Sequence, residues 1–336
     1  MKKSLIALAA LAAFGTASAQ STVTLSGKLR YAFVNNSSNT AGTIIEATGI
    51  ARTDGDLVVT ASEDLGGGLK ATANFAFQTG ARSVASANRD GNLFLSGGFG
   101  TVAFGSIDAG NGIQSLGGAG ASYLPGLDSL VTLDSGNVDY LSYTTPNISG
   151  FAGKITMIDD ATATSGSNSA TGYSQNSSTA LQDAMVYGVT YAAGPLSVAA
   201  DITSYGNNSI AAATARSNGR TRISASYDLG VAKIGAGFET RRAATSSTAT
   251  ELKTNESIVG VNVPFGSFDI GFNFAKSTTD GDGYSKSGFD VGARYNFSKR
   301  TYVFVGLQSV NNVNLNGTAG STNEGSFSRI QLAHSF

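Results

Sequence analysis

From Thr22 onward, apolar side chains recur at every second position. Val23, Leu25, Leu29, Tyr31 and Phe33 alternate with Thr24, Ser26, Lys28 and Arg30. A period of two is the mark of a β-strand with one apolar and one polar face. The pattern returns with Leu69, Ala71, Ala73, Phe75 and Phe77 against Lys70, Thr72, Asn74 and Gln78. It returns again in Met185, Tyr187, Val189 and Tyr191, in Ile223, Ala225 and Tyr227, in Phe268, Ile270, Phe272 and Phe274, and in Phe289, Val291, Ala293, Tyr295 and Phe297. Residues 93–95 and 102–104 are short apolar runs joined by Gly97, Gly98, Phe99 and Gly100, which predicts a hairpin with a tight glycine turn.

The connections between these runs alternate in length. Short ones fall at 63–68, 97–100, 145–150, 192–195, 228–231, 264–266 and 298–300. Long ones, rich in Asn, Ser, Thr and Gly, fall near 35–50, 79–90, 106–137, 159–182, 205–219, 241–255, 277–286 and 311–326. Seven short and eight long connections join sixteen strands. An even number of strands about ten residues long, with short turns on one rim and long loops on the other, describes an all-β antiparallel transmembrane barrel.

Alternation is equally compatible with a soluble two-sheet sandwich, in which the polar face meets bulk water. Three features favour the barrel. The polar face is often Gly or Ser, which suits a crowded or water-filled interior. Aromatics recur beside the short turns (Phe99, Phe151, Tyr191, Tyr227, Phe265 and Phe297), where an interfacial girdle would sit. A single hairpin scheme accounts for every strand, without a crossover. The last strand ends on Phe336, with Ile330, Leu332 and His334 in the same phase. It must pair with the first strand, because a barrel cannot leave an open edge in lipid.

Composition narrows the class further. The chain begins with Lys2 and Lys3, an apolar run to Phe14, and Ala17-Ser18-Ala19. These are the parts of a secretory leader, and the run is too short to span a bilayer. The expected organisation is a leader at 1–19, cleaved after Ala19, and one barrel domain at 20–336. Loss of Lys2 and Lys3 from 22 basic side chains leaves 20 against 23 acidic ones, a charge near −3, which argues against a nucleic-acid partner. No later stretch is apolar enough for a membrane helix. There is no cysteine, so no disulfide holds the exported chain together. Charged residues are 13% of the chain, about half the usual fraction for a soluble domain.

Candidate chemistry is sparse. His334, the one histidine, is read as a girdle residue, not as a ligand or catalytic base, so neither a metal site nor a Ser-His-Asp hydrolase is expected. The glycine runs at 66–68, 97–100 and 117–120 lack the Lys-Ser/Thr tail of a phosphate loop and are read as turns; no cofactor is implied. The acids Asp201, Glu239, Asp269 and Asp290 could coordinate a cation, but are expected instead to solvate the wall or to pair across strands with Arg222, Arg241 and Arg294. Arg241 and Arg242 could attract lipopolysaccharide phosphates, but are read as a solvated charge pair at a loop base.

VTLSG (23–27), SEDLGGGLKA (62–71), LSGGFGTVAFG (95–105), TTPNISGF (144–151), FSKRT (297–301) and the terminal His334-Ser335-Phe336 carry a family resemblance. Together they span the mature chain, which resembles the Gram-negative general porins of the β-proteobacterial type. The resemblance implies a sixteen-stranded barrel, assembled as a homotrimer among outer-membrane lipid and lipopolysaccharide. It also implies that the third long loop, about 106–137, folds into the lumen. Ions and small hydrophilic solutes would pass by diffusion.

On that reading Asp108, Asp128 and Asp134 form the negative side of the constriction. Lys28, Arg30, Arg52 and Lys70 are the candidate wall cations, and the period of two places Lys28, Arg30 and Lys70 on the lumen face. Relatives commonly have arginine where this chain has Asp56, Ser106 and Ser142, so weak selectivity or a mild cation preference is expected. A substrate-specific porin for a sugar or carboxylate is the second reading, and a secreted soluble β-protein such as an adhesin the third.

Overall fold

The structure is a computed structural model and describes residues 21–40, 43–78, 87–107, 113–116, 118–121, 124, 127, 138–159, 167–168, 173–174, 184–205, 216–244, 251–280, 285–311 and 323–336. The expected leader and its cleavage site lie outside these residues. Sixteen antiparallel strands close into one barrel. In chain order they are β1 (Ser21–Thr40), β2 (Thr43–Gly66), β3 (Leu69–Gln78), β4 (Ala87–Gly97), β5 (Gly100–Ile107), β6 (Val138–Thr144), β7 (Phe151–Asp159) and β8 (Ala184–Ala193). They continue as β9 (Leu196–Tyr205), β10 (Arg216–Asp228), β11 (Lys233–Ala244), β12 (Leu252–Phe265), β13 (Phe268–Thr279), β14 (Ser285–Asn296), β15 (Thr301–Asn311) and β16 (Asn323–Ser335). One short helix, α1 (Ile113–Leu116), lies between β5 and β6, and a two-stranded hairpin, Ser167–Asn168 with Tyr173–Ser174, lies between β7 and β8.

Each strand pairs with its chain neighbour, and β16 pairs with β1 from Thr40 opposite Asn323 to Lys28 opposite Ser335. At the end of this seam Gly27 and Phe336 exchange both backbone hydrogen bonds, each 3.0 Å. The terminal ring lies against Gly27, where a side chain would collide with it. Closure leaves no row of backbone groups unpaired in lipid.

The outer face is apolar and exposed: Val23 is 73% and Phe265 76% accessible, with Leu25, Phe33, Ile202, Val305 and Leu332 all more than half exposed. On a soluble protein such a belt would drive association; around a barrel it is the surface a bilayer requires. Rings gather at the short-turn rim. Phe151 meets Tyr191 at 4.5 Å, Phe268 meets Tyr295 at 4.9 Å, and Tyr295 meets Phe297 edge-on at 5.1 Å. His334 joins this rim, with Nδ1 2.9 Å from the Thr301 hydroxyl.

The seven short turns fall where the alternation places them. Asx-type bonds shape three of them: Gly66 N–H donates to Asp64, Gly150 N–H to Asn147 and Gly230 N–H to Asp228. The 35–50 connection is corrected. It is the tall end of the β1–β2 hairpin, with only residues 41–42 between the strands and a regular register from Asn35 opposite Thr48 to Thr40 opposite Thr43. Its β1 half, 35–40, is polar at every position, and its β2 half has isoleucine at the consecutive positions 44 and 45, so the alternation lapses there while the backbone pairing continues.

Candidate functional site: the lumen and its inner loop

The side chains that alternate with the lipid-facing ones line the lumen, and they carry most of the charge. Lys28 Nζ lies 2.8 Å from Asp54 and 3.0 Å from Asp56, and Arg30 Nη1 lies 3.2 Å from Asp54. A bulge in β2 opposite Arg30 and Tyr31 assembles this group. It inserts Thr53, whose hydroxyl donates to Gln331 at 2.8 Å, beside Asp54. Arg52 stands at the same bulge, in register with Tyr31. Lys70 is exposed at the short-turn end of β3, between Asp64 and Ser96. The loop carboxylates Asp108, Asp128 and Asp134 lie outside the described residues.

A second charged group covers β9–β12. The Arg222 guanidinium makes two bonds to Asp201, 2.8 and 2.5 Å, and Arg220 Nε lies 2.8 Å from Glu239. Glu239 stands opposite Glu256, which accepts from Ser277 Oγ at 3.0 Å. All six side chains are buried. On β13–β15, Arg294 bonds Asp269 at 2.7 and 3.0 Å and lies over the Tyr302 ring, 5.2 Å from its centroid. Arg329 of β16 covers Phe304 at 5.4 Å. Across the lumen, Tyr140 donates to Asn92 at 2.8 Å and Asn92 to Asn74 at 3.0 Å.

Of the acids and arginines named from the sequence, Asp201 therefore meets Arg222 and Asp269 meets Arg294, while Glu239 lies within ion-pair distance of Arg220. Register places Arg220 opposite Arg241 and Arg222 opposite Glu239, so the Arg220–Glu239 contact is diagonal. Arg220 and Arg329 were legible in the alternation, since each is two positions from a lumen residue, Arg222 or Gln331.

The connection between β5 and β6 enters the bore. Ile113, Ala119 and Leu127 pack against Ile258, Ala275 and Val310 in one apolar cluster, and Ala121 and Leu124 pack against Phe304 in another. All of these wall residues are in the lumen phase: Ile258 lies opposite Ala275, Ala275 opposite Gly288, and Val310 opposite Gly288. The wall thus presents a dry seat on its wet side. The only signal in the sequence was apolar residues at consecutive positions, Ile258-Val259 and Val303-Phe304-Val305, where strict alternation fails. A polar contact reinforces the seat: Ala121 N–H donates to Asn273 Oδ1 at 2.8 Å, fully buried.

A family model described as Gram-negative porin matches residues 7–315. Outer membrane porin protein 32 of Delftia acidovorans is 28% identical over 331 residues, covering 93% of this chain and 90% of that protein. Among solved structures, an anion-selective porin from Comamonas acidovorans superposes with a TM-score of 0.72 at 20% identity, over 94% of this chain and all of that one. OmpT, an outer membrane protein of Vibrio cholerae solved in a trimer form, superposes with a TM-score of 0.57 at 14% identity, over 93% and 99% of the two chains.

Proposed function

The chain belongs to the Gram-negative porin family, an outer-membrane diffusion channel, and we propose that it acts as a weakly selective homotrimeric pore whose passage is narrowed by the loop between β5 and β6. The observation that carries this reading is the loop seat itself, with Ile113, Ala119 and Leu127 buried against lumen-phase residues of the barrel. Sixteen strands enclose a channel too wide for side chains to fill, so a segment held inside sets the narrowest cross-section. Solutes cross without covalent chemistry; size and charge alone decide passage.

Weak selectivity is supported by the pairing of the wall charges. Lys28, Arg30, Arg220, Arg222 and Arg294 each lie against a carboxylate, which cancels much of the field they would otherwise project into the lumen. The trimer is supported by the low wall of β5–β7, whose strands are eight, seven and nine residues long. Beside it the outer face holds a groove of about 650 Å³, where Ala73 and Gly91 leave space between Phe75, Leu93, Phe104 and Leu141. A second copy would fill this groove.

Reconstitution into planar bilayers tests the reading. Conductance steps in groups of three, scaling with bulk salt, and a reversal potential near zero in a salt gradient are expected. Strong anion selectivity would overturn the charge account, and the absence of any current would overturn the pore.

A further inference from the structure

Glycine in a strand interior costs roughly 0.5–1 kcal/mol relative to alanine and gives the sheet nothing to pack. Three lumen-facing glycines, Gly235 and Gly237 on β11 and Gly260 on β12, are therefore unexpected side by side, with Gly235 directly opposite Gly260. Their backbone needs no glycine, since none has the left-handed conformation. The reason is what lies above them. A Cβ on Gly235 would sit 2.5 Å from Ala119 Cα and 2.8 Å from its carbonyl carbon and oxygen. A Cβ on Gly260 would meet Asn273 Oδ1 first, and would sit 2.6 Å from Ala119 O and 2.7 Å from Gly120 Cα. On Gly237 it would meet Ile113 O at 3.2 Å. At Gly235 the nearest obstacles are all main-chain atoms of the inner loop, which cannot rotate away as a side chain can, and at Gly260 two of the nearest three are.

Asn273 completes the arrangement. It stands opposite Gly260 on the next strand, and its amide oxygen receives the Ala121 N–H. The loop backbone is thus pulled towards the wall by one buried hydrogen bond and allowed to reach it by the missing side chains beneath.

We infer that Gly235, Gly260 and Asn273 are positioning residues that set the width of the passage, by fixing how close to the barrel wall the inner loop lies. The inference rests on the pore reading and adds to it the residues that determine the size cut-off. Its sign is specific. A side chain at position 235 or 260 lifts the Ala119–Gly120 backbone off the wall and into the bore, narrowing it. Loss of the Asn273 acceptor frees the Ala121 N–H and lets the segment leave its seat.

The test compares wild type with Gly260→Val, Gly235→Val and Asn273→Leu, with Gly188→Val as control. Gly188 is also in the lumen phase, opposite Asp201, but a Cβ there meets only ordinary contacts, the nearest 3.7 Å away. Single-channel conductance is measured in planar bilayers, and the swelling rates of proteoliposomes are compared for a pentose and a disaccharide. Both valine variants at the seat should lower conductance roughly twofold, since current follows the narrowest cross-section, and should slow the disaccharide more than the pentose. Gly188→Val should behave as wild type. Asn273→Leu should give a noisier current that flickers to lower levels as the unheld segment swings into the bore, and Asn273→Asp, which keeps an acceptor oxygen, should restore the quiet wild-type current. Gly260→Ala serves if the valine variant does not fold. Heat resistance of the barrel is followed in parallel, because a purely structural role would change it and leave the solute ratio alone. Wild-type current with unchanged conductance and solute ratio in the folded seat variants overturns the inference and leaves the pore standing. No current in wild type overturns the pore.

Discussion

Removing Asp201 is the sharpest perturbation of the lumen wall. The Arg222 guanidinium is 5% exposed and is bonded twice by that carboxylate. In Asp201→Ala the guanidinium remains within the wall without its bidentate partner. Breaking a buried pair on one side typically costs about 3–5 kcal/mol, most of it the penalty of the stranded charge. Arg222 also stands directly opposite Glu239, which offers part of a replacement, so the loss should fall near the lower end, about 3 kcal/mol. Adding Arg222→Met removes the stranded charge and should recover most of the loss, leaving the double variant within ~1 kcal/mol of wild type. The measurement is urea-induced unfolding of the barrel in lipid vesicles, followed by circular dichroism and arranged as a double-mutant cycle. An Asp201→Ala barrel as stable as wild type, or a double variant weaker than Asp201→Ala alone, would refute the reasoning.

Two further changes test other parts of the account. Gly27→Val places a Cβ 2.5 Å from Asp56 O and 2.6 Å from the Phe336 ring at the closing seam. It should lower stability by about 1–3 kcal/mol, whereas Gly49→Val, with open space around it, should leave the urea midpoint unchanged. Asp54→Asn removes the carboxylate shared by Lys28 and Arg30. It should move the reversal potential in a KCl gradient towards anions, and a shift towards cations would contradict the placement of these side chains on the ion path.

The barrel was legible in the sequence because two solvents act on it. Lipid outside and water inside impose a period of two wherever a strand crosses the bilayer, as in 268–274, and the short rim needs tight turns. Where only water meets both faces the signal lapses, which is why 35–50 reads as a loop and is a hairpin. The dry seat shows only as breaks in the alternation, for the opposite reason. Ile258, Phe304 and Val310 are apolar in the wet phase because the loop covers them, and no local pattern announces a cover that comes from residues 113–127. The glycines beneath that loop carry still less information, since a missing side chain looks the same in a turn, a strand or a seat. Wall charges were half legible: alternation gives the face, but partners such as Arg220–Glu239 depend on diagonal reach across neighbouring strands.

The central claim is that a segment of chain lies inside a conducting barrel, and a cross-link tests it most directly. The protein has no cysteine, so Ile113→Cys with Ile258→Cys introduces a single thiol pair, between a loop residue and a wall residue of one buried apolar cluster. The account predicts that oxidation of the folded, membrane-inserted protein joins the two within one chain, and that ion current persists through the cross-linked channel. A pair that links only after unfolding, or a barrel that carries current with its loop demonstrably outside, would contradict it.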